Sequence, residues 1–165
     1  MSQPVPPPSG NPFAGAPGAD APYAPTPPPA PVRDNIGLGL VAAVVAALVA
    51  AGAYGAIGGA IEREIGYAAI GVGFLVGFAA AKVGGRNPAL PVISAALALG
   101  AVYLGQLVAI AVIFTKLGDL SFTEYFFNHF GDLTKVWKEA ADFMSYVFLA
   151  IGAVAAFAGA KKAND

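Results

Sequence analysis

Three titratable side chains lie close together in one stretch of this chain, Glu124, His129 and Asp132. A carboxylate, an imidazole and a second carboxylate are the parts from which an acid–base relay or a metal site is made. Here they fall on the polar side of an otherwise aromatic stretch, and they read as ordinary helix-surface polarity. His129 is the one histidine and there is no cysteine. A multi-histidine metal centre within one chain, a thiolate site, a disulfide and a cysteine nucleophile are therefore excluded. Gln106 is the most polar group in the middle of any apolar run. Its expected fate is a hydrogen bond to the backbone of a neighbouring helix, and a pore or substrate contact is the functional alternative. Gly71-x-Gly73-x-x-x-Gly77 is no nucleotide loop, since no strand precedes it. Intramembrane proteolysis needs a Ser–His pair or two aspartates within the apolar runs, and neither occurs. No residue is assigned to catalysis, a cofactor or a metal.

The elements that carry these residues follow from composition. The chain has 165 residues, 57% of them hydrophobic and 12% charged, with a net charge of −1 and mean hydropathy +0.67. Soluble chains carry about 25% charge, so this one has roughly half the polar groups needed to face water. The near-zero net charge gives no steering toward nucleic acid. The implied fold class is an all-α integral membrane protein: four transmembrane helices in a bundle, a disordered Pro-rich N-terminal tail, and a short amphipathic aromatic segment between the third and fourth helices. Twelve of the fourteen prolines lie in residues 1–35. Proline fixes φ and removes a donor, so that stretch is expected to be a polyproline II and coil tether, or a docking tail for a protein partner.

Charge-free apolar runs place the spans at about 36–61, 65–83, 88–116 and 142–160, within a membrane domain of residues 36–161. Residues 162–165 form a polar end. A helix rises about 1.5 Å per residue, so the first and third runs can cross a hydrocarbon core of about 30 Å with some tilt. The second, apolar only from about Ile65 to Ala81, is the shortest. Glu62-Arg63-Glu64 is the whole connection between the first two spans, which makes them antiparallel neighbours. Asn87-Pro88 opens the third span, with asparagine as cap and proline where its missing N–H costs nothing. In the connecting segment, about 119–141, Ser121 and Glu124 form a capping box. Gly131 is expected to break the helix that follows. Phe122, Tyr125, Phe126, Phe130 and Trp137 are expected to lie at the outer headgroup boundary.

Membrane helices associate where small residues let backbones approach. Gly55-x-x-x-Gly59, Gly73-x-x-x-Gly77, Ala96-x-x-x-Gly100 and Gly152-x-x-x-Ala156 put one such spacing in each span. The face of Gly73, Gly77 and Ala80 is expected against the first span, with a second copy of the chain as the alternative. Arg33, Lys82, Arg86, Lys161 and Lys162 favour cytoplasmic termini in the plasma membrane.

The Pro-rich tail, the arm Tyr67–Pro88 (YAAIGVGFLVGFAAAKVGGRNP) and the abundance of Ala, Gly and Val beside few Lys resemble small multipass membrane proteins of high-GC bacteria. The resemblance implies an architecture and no activity. Within it, a membrane-anchored interaction or scaffold protein needs only the spans, the tail and the aromatic segment. A small channel or transporter component is the alternative, resting on Gln106 and the glycine-lined faces, although no Asp, Glu, Lys, Arg or His lies in the interior of a span. A membrane enzyme is the third reading.

Overall fold

The computed structural model describes residues 34–63 and 66–165, and over these it is all-helical. The expected tail, as far as residue 33, and the expected start of the second span at Ile65 lie outside the described residues. The helices are α1 (Ile36–Ile61), α2 (Ala68–Gly84), α3 (Ala89–Leu117), a single π-helical turn (Glu124–Asn128), α4 (Phe130–Ala140) and α5 (Phe143–Lys162). Helices α1, α3 and α5 are long and apolar enough to cross a membrane, whereas α2 is a shorter apolar helix of 17 residues.

Side-chain size, more than polarity, sorts the faces of these helices. The inner face of α1 carries Gly39, Ala43, Ala47, Ala50, Ala51, Tyr54, Gly55, Gly58 and Gly59, while Val41, Val45, Leu48 and Val49 point outward and are exposed. Both sets are apolar. The division by size is what lets one backbone lie on another.

The most extensive helix pairings are α1 with α3 and α2 with α5, and both pairs run parallel. A Cβ added at Gly55 would strike Gly105 and Val108 of α3, and one at Gly59 would strike Val112 and the Ala109 carbonyl. A Cβ at Gly73 would fall on the Gly152 carbonyl, and one at Gly77 on that of Ala156. The small-residue ladder of α2 therefore meets the ladder of α5, not α1 as the sequence suggested. The short turn after α1 makes α1 and α2 neighbours without deciding which face of α2 looks where. They meet closely at the far end, where Gly39 lies beside Gly84 and Ala80. The ladder expected in the third span is corrected outright. Ala96 and Gly100 are exposed, with nothing within 4 Å of a Cβ added at Gly100. The inward face of α3 is instead Leu90, Ser94, Ala98, Ala101, Val102 and Gly105. Among the described residues α1 and α5 do not touch, and α2 and α3 form the middle of the bundle.

Each end of the bundle is closed by polar contacts. At the end holding both termini of the domain, Asn35 N–H donates to Gly84 O at 2.8 Å and Asn87 Nδ2 donates to Asp34 Oδ1 at 2.9 Å. Arg86 Nη2 donates to Asn164 O at 2.8 Å. The Asn87 side chain accepts from Ala89 N at 2.8 Å, capping α3. Gly85, at φ 86° and ψ −149°, occupies backbone space that only glycine enters without strain. At the other end Lys116 Nζ reaches the last carbonyls of α1, Gly59 O at 3.0 Å and Ala60 O at 2.8 Å, and pairs with Glu62 Oε1 at 3.2 Å. A cation there satisfies carbonyls that have no partner within their own helix and opposes the negative end of the helix dipole. Glu62 itself takes the left-handed conformation, φ 56°, that ends α1.

Candidate functional site

The segment between α3 and α5 holds most of the polar and aromatic side chains at the Lys116 end. It opens with the capping box: Glu124 Oε2 accepts from Ser121 N at 2.9 Å and from Ser121 Oγ at 2.8 Å. These two bonds hold the Glu124 carboxyl below its usual range, the backbone N–H contributing most and the hydroxyl next. The helix then widens into the π turn and breaks at His129, φ −115° and ψ 25°, where α4 begins. The break expected at Gly131 thus falls two residues earlier, and Gly131 lies within the first turn of α4. Side chains from both sides of this break, Phe122, Tyr125 and Phe126 before it and Leu133 and Trp137 after it, pack toward α3.

The aromatic residues do more than rest on a boundary. Leu133 is fully buried with Leu107 and Ala111 of α3, and Phe122, Tyr125, Phe126 and Trp137 pack around that cluster. Tyr125 meets Phe114 edge-on, and Trp137 stands edge-on to both Tyr103 and Tyr146. Phe127 and Phe130 are left exposed. A lipid-lying helix would present its whole stripe outward. This one folds most of it back on α3.

Gln106 is the polar anchor of this docking. It is 7% exposed, and its Oε1 accepts from Trp137 Nε1 at 2.6 Å. The sequence pointed to a main-chain partner for this amide; an indole 31 residues further on carried no signal that spacing could show. His129, Asp132 and Glu124 do not converge on one another as a triad. Asp132 accepts from Lys135 Nζ at 3.0 Å, which does most to lower its pKa, and faces His129 Nδ1 at 3.4 Å, which lowers it further, while Glu124 is engaged by Ser121. All three are exposed.

Between α1, α3, α4 and the start of α5 lies a cavity of about 180 Å³. Its walls are Tyr54 and Gly58 of α1, Gln106, Ala109, Ile110 and Ile113 of α3, and Trp137, Ala140 and Ala141 from the amphipathic side. Ser145 closes it from α5, and Glu62 and Arg63 stand at its rim. Tyr54, Ser145 and the rim residues were not marked by the sequence as belonging together. Only the parallel pairing of α1 with α3 brings Tyr54 level with Gly105 and Gln106. Searches against protein-family models, curated proteins and solved structures find nothing that matches this chain.

Proposed function

We propose that this chain is a four-span membrane protein whose role is interaction: a bundle anchored in the bilayer that presents the 122–140 segment to a partner at one membrane face. The observation that carries the reading is the split of the aromatic set. Leu133 and the Trp137–Gln106 hydrogen bond fasten the segment to α3, and this leaves Phe127, Phe130 and a charged flank facing outward. A segment with no role beyond packing gains nothing from large exposed rings beside a charged face.

The span count rests on direction. Helices α1 and α3 run parallel in register, Gly55 beside Gly105 and Gly59 beside Ala109. If both cross the bilayer, the chain between them must return, and α2 is the only element available. At 17 residues it measures about 26 Å (17 × 1.5 Å), short of a core of about 30 Å. Its burial among α1, α3 and α5 supports the crossing, because neighbours shield the ends that lipid would leave unsatisfied. The basic residues Lys82, Arg86, Lys161 and Lys162 gather at the end holding both termini of the domain, which supports cytoplasmic termini in the plasma membrane.

Single cysteines at positions 63, 86 and 127 in intact cells test the arrangement. Labelling of 63 and 127 from outside, and of 86 only after permeabilisation, is expected; labelling of 63 and 86 from the same side refutes four spans. For the interaction role, a photoreactive side chain at Phe127 in native membranes should give a discrete protein adduct that Phe130→Ser weakens. Adducts with lipid alone would remove the reading.

A further inference from the structure

We infer that the cavity beneath α4 is a binding site for one small, uncharged aromatic molecule that carries a hydrogen-bond donor, of the size and chemistry of a phenol. This stands on the cavity alone and does not need the interaction role proposed above. The volume comes first. At about 180 Å³ the space is a little larger than the cavity of about 150 Å³ that takes a benzene ring in a protein interior. One ring with a substituent fits, and a lipid does not. Shape agrees, since from Tyr54 to Glu62 the α1 wall runs eight residues, about 12 Å along the axis.

Polarity then narrows the class. Ile110, Ile113, Ala109, Ala140 and Gly58 make most of the wall apolar, and Trp137 offers an aromatic surface. The charged side chains of the lining, Glu62 and Arg63, are both at the rim, where Glu62 is already paired with Lys116. An ionised ligand held inside would lose its hydration, and among the described residues the lining offers charge only at the exposed rim, where water screens it. The interior is not wholly apolar, however. Ser145, 6% exposed, donates its hydroxyl proton to Asp142 Oδ1 at 3.1 Å, which leaves its oxygen to accept from a ligand. A hydroxyl or ring N–H on the ligand is thereby satisfied, and a ligand without a donor leaves that acceptor unmet.

Trp137 is the one tryptophan of the chain and lines the cavity, so its emission reports occupancy directly. The full chain in detergent micelles would be titrated with para-bromophenol, bromobenzene and para-bromobenzoate, whose heavy atom quenches indole fluorescence. Saturable quenching by bromophenol is expected at a concentration about tenfold below that for bromobenzene, the worth of one hydrogen bond to a buried group. Bromobenzoate should give only the linear, unsaturating quenching of a probe dissolved in the micelle. Gly58→Val fills the cavity, because among the described residues an added Cβ meets Arg63 O at 3.5 Å and Ala109 Cβ at 3.6 Å, both ordinary contacts. It should abolish the saturable phase and leave thermal stability intact. Should Gly58→Val fail to fold, Ala140→Leu fills the same space from α4. Linear quenching by bromophenol, equal in wild type and filled variant, overturns the site. Saturation by bromobenzoate or bromobenzene at the same concentration as bromophenol overturns the chemical class.

Discussion

Gly71→Ala and Gly77→Ala make the same chemical change on the same helix and should have opposite effects. Gly71 of α2 has nothing within 4 Å of an added Cβ. Alanine there gains the helix propensity that glycine lacks, up to about 1 kcal/mol, and costs no packing. At Gly77 the same methyl would lie 2.6 Å from the Ala156 carbonyl carbon and closer still to its oxygen, where ordinary contact begins at 3.4 Å. The obstacle is backbone, so no rotamer change relieves it. Clearing the carbonyl carbon alone needs the two helices to part by about 0.8 Å (3.4 − 2.6), and the nearer oxygen requires more. A gap of about 0.5–1 Å already forfeits a quarter to a half of the dispersion attraction across an interface. Because both variants gain the same propensity, their difference isolates the steric cost, and inserting a methyl into a packed interface costs about 1–3 kcal/mol. Reversible unfolding in mixed micelles, followed by circular dichroism over a denaturing-detergent titration, measures that difference. Gly73→Ala, set against the Gly152 carbonyl, should behave as Gly77→Ala does. Equal stability of the Gly71 and Gly77 variants would refute the α2–α5 packing.

Other positions give independent checks. Ser94 Oγ is fully buried without a hydrogen-bond partner among the described residues, so Ser94→Ala should raise stability by about 1 kcal/mol in the same titration; a loss of that size would mean that the hydroxyl is used. Lys116→Met removes the cation from the end of α1 and should cost about 1 kcal/mol, read as faster amide exchange over residues 58–62, with Lys116→Arg retaining most of the protection. A double-mutant cycle of Gln106→Leu and Trp137→Phe should return a coupling of about 1 kcal/mol, and additive effects would show that the hydrogen bond does not hold α4. The folded-state pKa of Glu124 is lowered, so its contribution is present above the unfolded value of 4.5 and is lost as pH falls through the lower folded value. The protection of amides 122–128, taken relative to the intrinsic exchange rate at each pH, should accordingly fall below about pH 4.5, and Glu124→Gln, which keeps a capping acceptor, should flatten that dependence.

Much of this architecture was legible before any coordinates, because it is written in local terms. Charge-free runs, the Glu62-Arg63 turn, Asn87-Pro88 and the Ser121–Glu124 box act within a few residues of themselves, and the helices begin and end close to where those signals stand. What was not legible is which face meets which. In a soluble helix the polar side marks the outside, but on α1 and α5 every side is apolar, and a ladder such as Gly73-x-x-x-Gly77 is compatible with any neighbour. The choice of α5 over α1, the exposure of Ala96 and Gly100, and the meeting of Gln106 with Trp137 depend on rotations about helix axes that short turns leave open. Those rotations are settled only when all the small faces must be buried at once. The cavity follows from the same collective choice: Tyr54, Gln106, Trp137 and Ser145 come from four helices, and no spacing along the chain joins them.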